Sequence, residues 1–270
     1  MQTAWLLPVT ATGHGATGKN IDLDLLLNSW YYLALKGELE FARILNKTTD
    51  IQLIESTMAR MEAAFNKRFW TGKEYRSPNY KGETDDRGQA MAVLAGFAKP
   101  EQYPLVLEVL KKERHASPYM EKYVGEALFV MGYPDVALQR TRERFADMVN
   151  YPGCTTLWEG WGIGKAGFGG GSVNHAWSGG TLTLLSQYVA GITPTEPGFK
   201  EFQIRPQMGD LTSAQVIIDT RYGFIKANFQ RKGKKVRISF EVPESTTAWI
   251  MKNGKRLKFK RGKHQVTISV

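Results

Sequence analysis

Apolar residues between Ile21 and Leu45 recur every three or four positions: Leu23, Leu26, Leu27, Trp30, Tyr31, Ala34, Leu35, Leu39 and Ala42. That period predicts a helix of several turns. Thr49 to Phe69 repeats it, with Ile51, Ile54, Met58, Met61, Phe65 and Phe69 on one face. A loop rich in glycine, proline and charge follows, from Thr71 to Asp86. Further helices are expected over about Arg87–Phe97, Pro100–Lys112, Tyr119–Met131, Asp135–Met148 and Ser178–Val189. Pro100, Pro118 and Pro134 stand where helices begin. Gly191 and Pro194 end the last one. Short turns and long loops alternate between the helices, as in helical hairpins packed into a toroid or α/α barrel. The long loops of such folds gather at one end and build a site.

After Pro197 the period shortens to two. Phe202 and Ile204 alternate, as do Val216 and Ile218. Phe224–Phe229, Val236–Phe240, Ala248–Ile250 and Val266–Val270 follow the same rule. Gly209-Asp210, Tyr222-Gly223, Lys232-Gly233 and Asn253-Gly254 punctuate them, and Asn-Gly is a strong hairpin turn. Short alternating strands with regular turns predict a small antiparallel β-sandwich. The fold class expected is therefore α+β and multi-domain, with helical hairpins over 1–194 and the sandwich over 195–270.

Composition adds limits. The chain has 270 residues, 42% hydrophobic and 23% charged, which suits a globular protein with a sizeable core. It contains no run of about 18 apolar residues, so no membrane span is expected. The start, MQTAWLLPVTATGHG, lacks a basic region and does not read as a secretory signal. Cys154 is the only cysteine, which excludes an internal disulfide and a cysteine metal cluster.

The net charge of +10 is uneven. Residues 199–270 hold 16 Lys+Arg and 5 Asp+Glu, a balance of +11, which leaves −1 for the rest. The basic residues are scattered through turns and are not interleaved with stacking aromatics. They read as solubilising turns and protected strand edges, with no nucleic-acid partner.

One stretch resists a purely structural reading: TTLWEGW, residues 155–161. Glu159 lies between Trp158 and Trp161 on a predicted loop, with Phe168, Asn174, His175 and Trp177 close by in sequence. Tryptophan faces stack on the apolar faces of sugar rings, and a carboxylate can take a proton from water. Glycines at 160, 162, 164, 167 and 169–171 let backbone approach a ligand. Other candidates carry less. His14 sits in TGHGATG, which lacks the strand and the Gly-Lys-Ser/Thr of a phosphate loop. Asp85 or Asp86 is suited to capping the third helix. His115 and His264 read as turn residues. No spacing of metal ligands stands out, and no metal or cofactor is expected.

These pieces resemble the bacterial α-L-rhamnosidase family of glycoside hydrolases. The likeness lies in TTLWEGW (155–161), GSVNHAWSG (171–179), YVAGITPTEPGFKEFQIRPQMGDLT (188–212) and YGFIKANF (222–229). DLLLNSWYYLALKGELEFARIL (24–45) and AAFNKRFW (63–70) share it. The resemblance implies an α/α six-barrel catalytic domain, here partial, followed by a β-sandwich, and inverting hydrolysis of terminal α-L-rhamnose. Glu159 falls on the general base of the family's Thr-Thr-x-Trp-Glu motif, and His175 on a histidine that contacts the sugar. Trp158, Trp161, Asn174 and Trp177 would complete the sugar site. Gly160 stands where an arginine is common.

The family's general acid lies in a Cys-Pro-x-Arg-x-Glu motif, and nothing in the 270 residues matches it. An inverting glycosidase needs two carboxylates about 6.5–9.5 Å apart. Seven helices also stand against the twelve of a full six-hairpin barrel. The expectation is a chain holding the base but not the acid, weak or inactive alone. It would be completed by a missing N-terminal portion or by self-association across an open barrel flank. Its compartment would be periplasmic or secreted where an upstream part carries a signal. The alternatives are another α/α-barrel carbohydrate enzyme, glucoamylase-like or a polysaccharide lyase, and a non-catalytic sugar-binding module.

Overall fold

The computed structural model describes residues 20–162 and 172–269. His14 with its glycine-rich segment, Phe168, Val270 and the glycines at 164, 167 and 169–171 lie outside the described residues. The chain forms two compact units, divided between Met131 and Gly132.

The first unit is helical. α1 (Leu23–Ile44) and α2 (Thr48–Phe69) form a hairpin around a tight turn in which Asn46 takes φ +54°. Asp22 caps α1 by accepting from the Leu25 N–H, and it also accepts from the backbone N–H of Ser77 at 2.7 Å. The hairpin buries Leu25, Tyr32, Leu35 and Leu39 from α1, and Ile54, Met61 and Phe65 from α2. Those positions fall on one face of each helix because helical neighbours recur every three to four residues. α3 (Asp86–Ala95) packs against α1 and against α5 (Pro118–Val130). It is buried on nearly every side, so its pattern carries little periodicity. Gly88 lets α1 come close, since a Cβ there would press into the Leu25 side chain. Between α3 and α5, Pro100–Gln102 forms a 3₁₀ turn and α4 runs Tyr103–Lys112. Phe65 stacks on Phe97 with ring centroids 3.7 Å apart.

The second unit begins with α6 (Pro134–Val149) and ends in the β-domain. The single helix expected over Ser178–Val189 is a relay of three geometries: a 3₁₀ turn (Ala176–Gly179), α7 (Gly180–Leu184) and a π-helical turn (Leu185–Val189). Gly179 and Gly180 weaken the start of a regular helix. The π turn is closed by the Ala190 N–H donating to the Leu185 carbonyl.

Eight strands follow: β1 (Ile192–Pro194), β2 (Glu201–Ile204), β3 (Ser213–Thr220), β4 (Gly223–Lys232), β5 (Lys235–Val242), β6 (Thr247–Lys252), β7 (Lys255–Phe259) and β8 (Gly262–Ser269). They make two four-stranded sheets, ordered β1-β2-β6-β7 and β3-β4-β5-β8. Phe202, Ile204, Ala248 and Ile250 of one sheet share a buried core with Ile225, Phe229, Ile238 and Phe240 of the other. The sandwich is present, but it is not wholly antiparallel. β2 and β6 run parallel, with Phe202 opposite Ala248. The chain leaves β2 to lay down β3–β5 and returns beside it, and such a long crossover permits parallel pairing.

β7 escaped the pattern because KRLKF carries three basic residues. It is an edge strand, and lysine there discourages pairing with other chains. Arg256 and Lys258 also lie over the ring of Trp249, at 3.9 and 5.0 Å. Asn253 and Gly254 turn β6 into β7 with φ of 49° and 73°, the two positive values of a type I′ turn. Among the described residues, no helix is long and apolar enough to cross a membrane.

Gly191 links the helical relay to the sandwich at φ +68°. Its carbonyl accepts from the Arg205 N–H at 2.9 Å. A Cβ there would collide with the Arg205 carbonyl. Gly191→Ala therefore combines an unfavourable dihedral with a backbone clash. We expect it to cost at least about 3 kcal/mol in urea unfolding; a change below about 1 kcal/mol would contradict this close approach.

Candidate active site

The Trp-Glu segment and the Asn-His segment are stitched together inside the second unit. The Glu159 N–H donates to the Ser172 carbonyl at 3.0 Å, and the His175 N–H donates to the Leu157 carbonyl at 2.9 Å. Side chains add to these backbone bonds. The Thr156 hydroxyl donates to the Val173 carbonyl, and the Ser178 hydroxyl to the Trp158 carbonyl. The Trp177 indole Nε1–H donates to the Glu159 carbonyl at 3.2 Å. Neither segment is a regular strand, so these bonds satisfy backbone groups that secondary structure would otherwise pair.

Glu159 and His175 are thereby brought side by side. Glu159 Oε2 lies 3.6 Å from His175 Nδ1. The same oxygen accepts from the Ser172 N–H at 2.8 Å. Ser172 Oγ lies 2.9 Å from His175 Nδ1. One serine thus contacts both groups, the carboxylate through its backbone and the imidazole through its hydroxyl. The carboxylate and the ring are each about one third exposed, at 35% and 34%. The tryptophans therefore do not seal Glu159 from water.

The three tryptophans occupy different places. Trp158 is 2% exposed and belongs to a small core with Phe145 and Met148. Its backbone N–H donates to Met148 Sδ at 3.3 Å, and Tyr151 meets its ring edge-on at 5.2 Å. Trp161 is partly buried. Phe145 packs on it at 5.1 Å, and the Arg144 guanidinium lies over it at 4.2 Å. Trp177 is 42% exposed and stands 4.3 Å from the His175 ring. Asn174 is exposed, and its carbonyl faces Ser172 Oγ at 3.4 Å. A cavity of about 370 Å³ opens beside Trp158, lined also by Asp147, Asn150 and Tyr151 but by neither Glu159 nor His175.

Cys154 sits just ahead of this segment. Its thiol lies 3.3 Å from the Thr156 hydroxyl, which holds it below the ordinary thiol range. Ser172 was not legible as a site residue, because what it offers the carboxylate is a backbone N–H, which every residue but proline has. Asp85 does cap α3, accepting from the Arg87 N–H at 3.0 Å. His264 packs among Phe240 and Phe259, with Nε2 2.6 Å from the Lys260 carbonyl.

Family models match both the helical and the β portion of the chain. A profile of the bacterial alpha-L-rhamnosidase 6 hairpin glycosidase domain matches residues 5–189. One of the bacterial alpha-L-rhamnosidase C-terminal domain matches residues 191–266. An α-L-rhamnosidase of Streptomyces avermitilis is 30% identical over 130 residues, 44% of this chain and 13% of that protein. One from Formosa agariphila is 34% identical over 104 residues, 36% of this chain and 11% of that protein. Among solved structures, an α-L-rhamnosidase from Dictyoglumus thermophilum superposes with a TM-score of 0.78 at 19% identity, covering 94% of this chain and 33% of that one. The S. avermitilis enzyme complexed with L-rhamnose gives 0.77 at 18% identity, covering 100% and 29%. Likeness at these identities speaks for the fold alone, and the chain spans only a fraction of each relative's length. With the hairpin-domain profile covering well over half of it, the chain belongs to the bacterial α-L-rhamnosidase family of glycoside hydrolases.

Proposed function

We propose that this chain supplies the water-activating half of an inverting α-L-rhamnosidase, with Glu159 as general base. The observation that carries the reading is the carboxylate's setting: reachable by water, held by the Ser172 N–H and 3.6 Å from an imidazole. In the proposed reaction Glu159 takes a proton from a water molecule as that water attacks the anomeric carbon. His175, Asn174 and Trp177 hold the sugar, with Trp177 offering an exposed ring. Trp161 borders the site. Trp158 acts from the core by fixing the backbone that carries Glu159.

The protonated carboxylic acid that must serve the leaving oxygen comes, in this reading, from a part of the whole protein outside the 270 residues. The absence of a Cys-Pro-x-Arg-x-Glu stretch and the small share of each relative that is covered support it. We take the functional division to lie near residue 194, where the sequence period changes. Supporting it, the two profiles stop at 189 and start at 191. A docking face for the remainder is suggested on the α1–α2 hairpin. There Phe41, Ile44, Leu45 and Leu53 are 63–72% exposed, and clustered exposed apolar side chains mark interaction surfaces.

Two predictions follow from the assigned roles. In the whole protein, Glu159→Gln should lower kcat on an aryl α-L-rhamnoside about 10²–10⁴-fold and leave KM within a few fold. Unchanged kcat would remove Glu159 from the reaction, and binding without any turnover in the parent would favour a sugar-binding module. The tryptophans should separate by assay. Trp158→Ala should cost about 3–5 kcal/mol in denaturant unfolding, whereas Trp177→Ala should leave stability within about 1 kcal/mol and weaken sugar binding. The reverse pattern would exchange their roles.

A further inference from the structure

We infer that the first unit carries a binding site for a zinc-class divalent cation, built from Glu83, Glu113 and His115. One ligand atom from each lies within 4.8 Å of the others, in the single such group among the described residues. His115 Nε2 stands 3.3 Å from Glu113 Oε2 and 3.4 Å from Glu83 Oε2. The nitrogen is shielded from solvent and makes no hydrogen bond among the described residues. So the imidazole is aimed at two carboxylates without being bonded to either.

Those separations have a meaning. Ligands about 2.0–2.1 Å from a tetrahedral zinc ion stand about 3.3–3.4 Å from one another. The two separations from His115 match the edge of that tetrahedron, and the two carboxylates lie within 4.8 Å of each other. It is longer than a charge-assisted hydrogen bond from a protonated imidazole to a carboxylate, about 2.7–2.9 Å. The imidazole also narrows the choice of ion. Magnesium and calcium prefer all-oxygen shells, while a nitrogen donor suits zinc, cobalt or nickel. Three protein ligands leave a fourth position for water.

Two segments of the chain bring the ligands together: Glu113 and His115 from just after α4, and Glu83 from the loop ahead of α3. Glu113 ends α4 with extended backbone, φ −80° and ψ 148°. Outer partners hold the carboxylates. Lys112 Nζ lies 2.9 Å from Glu113 Oε1, leaving Oε2 toward His115. Asn20 Nδ2 donates to Glu83 Oε2 at 2.7 Å, and Asn20 Oδ1 accepts from the Glu83 N–H at 3.1 Å. Such outer-shell bonds orient the ligands of metal sites. The helices α3 and α4 separate Glu83 from the other two ligands, so their convergence is invisible in sequence spacing. A bound ion would pin the long loop before α3 to the segment before α5.

The test uses the full chain, stripped with a chelator and titrated with Zn²⁺ or Co²⁺. We expect about one equivalent to bind in calorimetry, and Co²⁺ to give the intense visible bands of a tetrahedral site. Zinc at about a hundredfold over its Kd should raise Tm by about 5 °C or more. His115→Ala should abolish binding. Glu83→Gln, at the exposed rim and so without cost to folding, should weaken it at least tenfold, and Glu108→Gln should leave it unchanged. No binding, binding of calcium alone, or an undiminished response in both ligand variants would overturn the assignment and leave an ordinary histidine between two acids.

Discussion

A carboxylate on an irregular loop is useful only if its backbone cannot wander, and here that constraint is met by hydrogen bonds between two segments far apart in sequence. Residues 156–159 and 172–178 exchange two backbone bonds and four that involve side chains. Trp158 anchors one segment in a small core against Met148 and Phe145 of α6. Burial supplies the grip and hydrogen bonds set the angle. Neither alone would place Glu159 beside His175. The alternation of residues serves both ends at once: Trp158 turns inward and Glu159, its neighbour, turns out.

The fold was largely legible because its signal is periodic. The i, i+3, i+4 pattern of α1 and α2 locates the hairpin, and prolines mark the starts of α5 and α6. Legibility failed where geometry is set by something other than period. Gly179-Gly180 and the closure at Leu185 break one expected helix into three forms. The parallel pairing of β2 with β6 follows from the path of the chain between them, and alternation within a strand says nothing about direction. β7 hides behind its own lysines, the residues that protect an edge.

The candidate site shows the same division. Glu159, His175 and Trp177 stood out by residue type and proximity, and the fold brings them together. Type alone did not separate Trp158, which is interior, from Trp177, which is not, because burial depends on what α6 presents. Ser172 contributes chiefly a main-chain donor, and sequence does not announce those. His115 read as a turn residue because its two neighbours in space are drawn from different loops.

The stitched segments also decouple two demands. Between Glu159 and Ser172 lie the twelve residues 160–171, seven of them glycine, and both ends of that span are fixed by the same pair of contacts. The cost of bringing two chain ends together rises by only about 0.6 kcal/mol for each doubling of the length between them. The carboxylate's position is thus set by bonds at the ends of the span, outside its own length.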